Sequence, residues 1–138
     1  MTERERSLRL AQGLLWLTAL GTAAYWLAYL GGFRFSGGVE CSRQLQLAQI
    51  PSNAWIVVCC SLAAIGLRRE KRWGLLATTA AASAGLYIGL LDITFNVHAG
   101  TYLRLPWSEL APELFANSIS TLLPVYLFSV VLRAPPWP

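Results

Sequence analysis

Four apolar stretches constrain the fold more than any other feature of this sequence. They cover about residues 10–30, 53–67, 73–96 and 112–133. An α-helix rises about 1.5 Å per residue, so roughly 20 residues cross a hydrocarbon core of about 30 Å. Charged residues make up only 13% of the chain, against roughly 25% in soluble domains. The pattern predicts an all-α membrane protein, in which residues 1–138 form one domain, an up-and-down bundle of four transmembrane helices.

The first apolar stretch follows a short charged segment, which is also how a secretory signal peptide begins. The stretch is longer than the apolar core of a signal peptide, and it ends with Trp26 and Tyr29 where a cleavage site requires small residues. Trp and Tyr are typical of the membrane–water interface. We therefore interpret residues 10–30 as a membrane-spanning helix.

The loop between the first two helices contains a short alternating segment. Leu45 and Leu47 alternate with glutamine, and a period of two is compatible with a short strand. Pro51 is expected to begin the second helix, because proline is favoured in the first turn. Ser52 or Asn53 would then cap the first backbone amides of that helix.

A second alternating segment, residues 101–105, lies between the third and fourth helices. It could pair with the segment around Leu45 and Leu47 as a small two-stranded cap over the bundle, although short loops also alternate by chance. The fourth helix is expected to begin near Pro112. Pro124 lies within it and is expected to bend it, because proline lacks a backbone donor.

The basic residues lie at the ends of the apolar stretches and are divided unequally between the two sides of the predicted bundle. Eight lie near the termini or in the turn between the second and third helices, and three lie in the other two loops. Cytoplasmic loops carry the excess of Lys and Arg, so we predict an inner (plasma) membrane protein with both termini in the cytoplasm. The basic residues form no stripe along a polar face, so nucleic acid is not an expected partner. The first group is Arg4, Arg6, Arg9, Arg68, Arg69, Lys71, Arg72 and Arg133, and the second is Arg34, Arg43 and Arg104.

A polar segment closes the third apolar stretch and contains the strongest candidates for a site. Asp92 lies four residues before the predicted helix end at Asn96, about 6 Å below it, and Asn96 shares its face. A carboxylate within a membrane segment indicates a functional site by default, but Asp92 is equally compatible with a structural contact near the interface. Asn96 is also a typical helix C-cap. His98, the only histidine, follows in the loop and is more typical of a structural residue.

The start of the fourth helix supplies a second pair of polar residues at the same membrane face. Glu113 and Asn117 are one turn apart, and we expect them to converge with the end of the third helix. Glu113 also complements the dipole at a helix start, whereas the Asn117 amide needs a partner in hydrocarbon. The predicted ligand-binding residues are Asp92, Asn96, Glu113, Asn117 and His98.

Other chemistries receive less support from the sequence. Asp92, His98 and Glu113 would suit a divalent cation, but they show none of the spacings typical of metal ligands. Cys59 and Cys60 are adjacent on a predicted helix, about 100° apart around its axis, so they are poorly placed to bridge. Cys41 stands alone in the first loop. The sequence identifies no cofactor and no catalytic residue, so an enzyme is the least favoured class.

Small residues mark one face of the third helix. Ala81, Gly85 and Gly89 recur every four residues, a spacing that lets helices approach closely in lipid. Two functions follow as alternatives. The first is binding or transport of a small ligand, ion or lipid headgroup at the outward-facing polar site, and because four helices are few to enclose a pathway, transport would require a homo-oligomer or a larger membrane complex. The second is a non-catalytic accessory subunit that packs through this face.

The segment Leu90-Leu91-Asp92-Ile93-Thr94-Phe95-Asn96, followed by Gly100 and Tyr102, resembles the end of the third helix in small four-helix bacterial integral membrane proteins of uncharacterised function. The fourth helix, which opens with Glu113 and Asn117, and the basic turn Arg68–Gly74 are also similar. The resemblance implies the four-helix fold and a polar end to the third helix. It implies no activity.

Overall fold

The computed structural model describes residues 2–32 and 42–134, with side chains described from residue 44 onward in the second range. All regular secondary structure within these ranges is helical, and four of the five helices are long and apolar enough to cross a membrane. The prediction of an all-helical chain with four membrane-length helices is confirmed. The helices are α1 (Glu3–Leu30), α2 (Ser42–Arg68), α3 (Arg72–His98), α4 (Thr101–Arg104) and α5 (Trp107–Arg133).

Helix α1 begins well before the first apolar stretch. The Thr2 hydroxyl accepts from the Glu5 amide at 3.3 Å, and the Glu5 carboxylate accepts from the Thr2 amide at 2.9 Å. This reciprocal pair is a capping box, which satisfies two amides that a helix start leaves unpaired. The charged segment that precedes the apolar stretch is therefore the first part of the same helix.

The predicted strand around Leu45 and Leu47 is wrong, and so is the predicted helix start at Pro51. Both segments lie inside α2, and the Asn53 side-chain amide donates to the Gln49 carbonyl at 3.0 Å. A helix satisfies its backbone polar groups internally, whereas a short strand would leave an edge unpaired. Proline is tolerated within membrane helices because side chains and neighbouring helices satisfy the groups that it frees.

The second predicted strand is also wrong, because residues 101–104 form the single turn of α4. Gly100 precedes α4 with a φ of 67°, a left-handed conformation that glycine adopts without strain. Helix α5 then begins earlier than predicted, at Trp107, so that Pro112 lies inside it. The Pro106 carbonyl accepts from the amides of Glu109 and Leu110 and starts the helix.

Helices that follow one another along the chain pack together. Contacts join α1 to α2, α2 to α3, and α3 to α5. Helix α1 also meets α5 near the two termini, where the Tyr126 hydroxyl donates to the Ser7 carbonyl at 3.1 Å. The buried core consists largely of small side chains, among them Ala11, Ala63 and Ala82. Small residues allow the close backbone approach on which helix packing in lipid depends.

The small-residue face of α3 lies against α5 of the same chain. A Cβ atom added at Gly85 would lie 3.2 Å from the Pro124 ring. One added at Gly89 would lie 2.9 Å from both the Cβ and the carbonyl oxygen of Ser120. Ala81, on the same face, is buried. This close approach brings the polar ends of α3 and α5 together.

Candidate functional site

Asp92 is bonded to a residue from another helix. The Gln49 side-chain amide of α2 donates to the Asp92 carboxylate at 2.6 Å, and Gln49 is only 9% exposed. Gln49 received no role from the sequence, because the segment before Pro51 was interpreted as part of a loop. The sequence feature that could have identified Gln49 is its position one helical turn before Asn53, in a segment that is also compatible with a helix.

Glu113 joins the same group from α5. Its carboxylate is a hydrogen-bond partner of the Asn96 side chain, and the charge of Asp92 acts on it. Asn96 is 7% exposed, so its amide is removed from solvent and directed between the helices. The structure therefore brings together Asp92, Asn96 and Glu113, which were predicted from the sequence to converge.

Asn117 has a partner that the sequence did not single out as a site residue. Its side-chain amide donates to the Tyr102 hydroxyl at 2.8 Å, and Asn117 is 5% exposed. The turn of α4 positions Tyr102 for this bond. The neighbouring Thr101 hydroxyl is buried and has no hydrogen-bond partner within the described residues. Tyr102 appeared only in the motif at the end of the third stretch, where its side chain had no assigned contact.

Helix α1 adds an aromatic residue, Tyr25, to this end of the protein. Tyr25 is half-buried, and both Glu113 and Asp92 act on it electrostatically. Its ring lies 5.4 Å from that of Trp26 and 6.4 Å from that of Tyr29, measured between centroids. The sequence assigned Trp26 and Tyr29 to the membrane interface and gave Tyr25 no role, so the proximity of Tyr25 to the carboxylates was not predicted.

His98 lies apart from these contacts. It is the last residue of α3, where the sequence predicted a loop, and its side chain is exposed. Its Nδ1 atom lies 2.9 Å from the Thr94 carbonyl oxygen. None of the hydrogen bonds found in the described ranges joins His98 to the other four predicted ligand-binding residues.

We call the assembled residues the polar cluster. Its two carboxylates have amide partners, but no basic side chain within the described part of the chain interacts with either. Residues 2–32 and 42–134 contain no group of three or more His, Cys, Asp or Glu side chains that could hold a metal ion. Two neighbouring carboxylates with amide donors can stabilise a cation or share a proton. The polar cluster comprises Tyr25, Gln49, Asp92, Asn96, Tyr102, Glu113 and Asn117.

Comparison of the chain with protein-family models, with curated proteins and with solved structures gives no match.

Proposed function

We propose that this chain is a multi-pass inner-membrane protein that binds or transports a small positively charged ligand, ion or lipid headgroup at the polar cluster. The observation that carries the proposal is the proximity of Asp92 and Glu113. Both are half-buried, and neither has a basic partner among the described side chains. Ionisable residues in membrane helices normally face the bundle interior or a water-filled cavity and pair with one another. A bound cation would balance the charges of Asp92 and Glu113.

The amides beside the carboxylates support a site for reversible binding. Gln49 and Asn96 each donate one hydrogen bond, to Asp92 and to Glu113 respectively. Such bonds hold the carboxylates in place without neutralising their charge. An arginine or lysine in place of each amide would instead form an internal ion pair with each carboxylate and leave no net negative charge for a ligand.

The excess of Lys and Arg near the termini and in the α2–α3 turn supports an outward-facing cluster. In the up-and-down arrangement that we propose, the turn at Glu70 and both termini lie in the cytoplasm. Asp92 and Glu113 lie near the opposite helix ends and would therefore be reached from outside the cell.

The alternative of an accessory subunit has less support. It requires the small-residue face of α3 to be open to a larger partner. Gly85 and Gly89 instead approach Pro124 and Ser120 of α5 closely, and Asp92 is bonded to a side chain rather than only to backbone.

Replacement of either carboxylate tests the proposed site. We expect Asp92→Asn and Glu113→Gln each to weaken binding of tetramethylammonium at least about tenfold, a loss of about 1.4 kcal/mol, because each removes one of two negative charges. Binding would be measured calorimetrically with protein in phosphatidylcholine nanodiscs. Glu109→Gln is the matched control, since Glu109 lies in the first turn of α5 but outside the polar cluster.

The proposal fails if folded Asp92→Asn and Glu113→Gln proteins bind the cation as well as the parent protein does. It also fails if Glu109→Gln weakens binding equally, because the effect would then reflect only the negative charge of the surface. Size-exclusion elution and helical circular dichroism establish folding for each variant.

A further inference from the structure

A groove runs between α2 and α3, separate from the contacts of the polar cluster. Its volume is about 590 Å³, within the range of about 300–1,000 Å³ that small-molecule sites occupy. Trp55 of α2 and Tyr87 of α3 contribute to its lining and are 58% and 64% exposed. Both helices belong to the membrane-length set, so the groove would face lipid.

The lining suits an apolar chain. Ala80, Ser83 and Ala84 contribute small side chains, and the exposed aromatic residues Trp55 and Tyr87 contribute large ones. From Ala80 to Tyr87 the groove follows α3 for about 10 Å. Small residues between large aromatic side chains leave a channel along the helices in which a hydrocarbon chain makes van der Waals contacts on several sides.

One end of the groove lies next to the pair formed by Gln49 and Asp92. Ile88, which lines the groove, precedes Asp92 by four residues on α3, a rise of about 6 Å. Pro51 lines it on α2, two residues after Gln49. The groove therefore leads along both helices toward the carboxylate, and a molecule lying in it would place its head there.

Two hydroxyls in the groove are available to an occupant. Among the described Ser and Thr residues of α2 and α3, Ser61, Thr78, Thr79 and Thr94 donate to the carbonyl one turn earlier. Ser52 and Ser83 line the groove and form no such bond with the described residues. Hydrocarbon tails alone cannot satisfy these donors, whereas an amphiphile with acceptor atoms near its head can bond Ser52.

We propose that the groove binds the apolar chain of an amphiphile taken from the bilayer, whose cationic amine head is held at Asp92. The inference rests on the proposed cation site and names the class of ligand. A positive head complements Asp92 and Glu113, which have no basic partner among the described side chains. Both carboxylates act on Tyr25, which places an aromatic side chain, a group that attracts amine cations, beside the proposed head site.

Two cations with the same head separate the groove from the cluster. Binding of tetramethylammonium and dodecyltrimethylammonium would be measured for the full chain in phosphatidylcholine nanodiscs. Ser83→Leu fills the groove at an exposed position, and we expect it to weaken binding of the dodecyl cation at least about tenfold, or about 1.4 kcal/mol. Binding of tetramethylammonium should stay unchanged. Partition of the dodecyl chain into the lipid contributes equally to every measurement, because all variants are compared in the same bilayer.

Two further variants keep the test decisive. Tyr87→Ala removes an exposed side chain from the groove lining and should also weaken binding of the dodecyl cation alone. The test therefore does not depend on whether Ser83→Leu folds. Gly13→Leu places a leucine side chain on α1, where an added Cβ meets nothing within 4 Å, and should change neither affinity.

The possible outcomes distinguish the two proposals. If Ser83→Leu and Tyr87→Ala leave binding of the dodecyl cation unchanged while Asp92→Asn weakens binding of both cations, the groove proposal is wrong and the proposed function stands. If Asp92→Asn weakens neither cation, both proposals are wrong. If Ser83→Leu changes the oligomeric state in nanodiscs, the groove is an interface between copies and the amphiphile proposal is also wrong.

Discussion

At the scale of single residues, the chemistry of this protein depends on amide side chains buried near lipid. Asn117 bonds to Tyr102, and Gln49 bonds to Asp92. An amide in hydrocarbon without a partner is costly, so these pairs restrict which helices can be neighbours. Each pair joins residues from different helices and therefore also stabilises the tertiary structure around the polar cluster.

Tyr102→Phe removes the acceptor of the Asn117 amide and keeps the ring. Hydrogen bonds between membrane helices contribute about 0.6 kcal/mol on average, and an unsatisfied buried donor costs about 1–3 kcal/mol. We expect a loss of about 1 kcal/mol in the free energy of unfolding, measured by titration with sodium dodecyl sulfate from mixed micelles. Tyr87→Phe is the control, because Tyr87 is exposed and should change stability by less than about 0.5 kcal/mol. Equal effects of the two substitutions would contradict a stabilising role for the Tyr102 bond.

At the scale of helices, glycine determines how closely α2 and α3 approach. Gly66, near the end of α2, and Gly74, in the first turn of α3, face each other across the turn at Glu70, which has a φ of 51°. A Cβ at Gly66 would lie 2.8 Å from both the Gly74 nitrogen and the Trp73 ring. Since backbone cannot move aside as a flexible side chain can, this crossing needs glycine at both positions.

Gly66→Ala should therefore separate α2 from α3 at the turn. We expect a destabilisation of about 2–3 kcal/mol, because overpacking typically costs about 1–3 kcal/mol and the obstacle here is backbone. The same detergent titration measures it. Gly21→Ala provides a control of opposite sign, since its Cβ meets nothing within 4 Å and alanine favours a helix interior by about 0.5–1 kcal/mol. A Gly66→Ala protein as stable as Gly21→Ala would show that the two backbones are not in close contact.

At the scale of the whole molecule, the distribution of basic residues and the arrangement of helices together predict which surfaces are accessible from each side. The turn at Glu70 adjoins four of the basic residues, and the polar cluster lies toward the other ends of the same helices. Cys59 and Cys60 are buried in the core. Cys41 lies outside the described residues, and only the sequence predicts that its loop faces outward.

Thiol labelling in intact cells tests this orientation. A membrane-impermeant maleimide should label Cys41 in the parent protein and should not label the Cys41→Ser variant, because Cys59 and Cys60 are buried. A cysteine introduced as Glu70→Cys in the Cys41→Ser background should react only after the cells are permeabilised. Labelling of Glu70→Cys in intact cells, or protection of Cys41 until permeabilisation, would show that the orientation is the reverse.

The sequence alone predicted four long helices, because a run of about 20 apolar residues satisfies its backbone groups in a bilayer as a helix. It did not predict where they begin, since α2 starts at Ser42 and α5 at Trp107, and the sequence placed these starts near residues 53 and 112. It also indicated that the pair Asp92 and Asn96 lies at the same membrane face as the pair Glu113 and Asn117, because the third long helix ends and the fourth begins there. The spacing of four places each pair on one face of its helix. The alternation over a few residues around Leu45 suggested a strand where the structure has a helix, because so short a pattern also fits a helix.

The partners of these residues depend on how the helices pack in three dimensions. Gln49, Tyr102 and Tyr25 are distant from them in the chain or lie on other helices, so no local period connects them. Their positions depend on how closely the helices pack, which the glycines set through contacts such as that of Gly89 with Ser120. Those approaches decided that Asn117 bonds Tyr102, that Glu113 bonds Asn96, and that His98 is left outside the polar cluster.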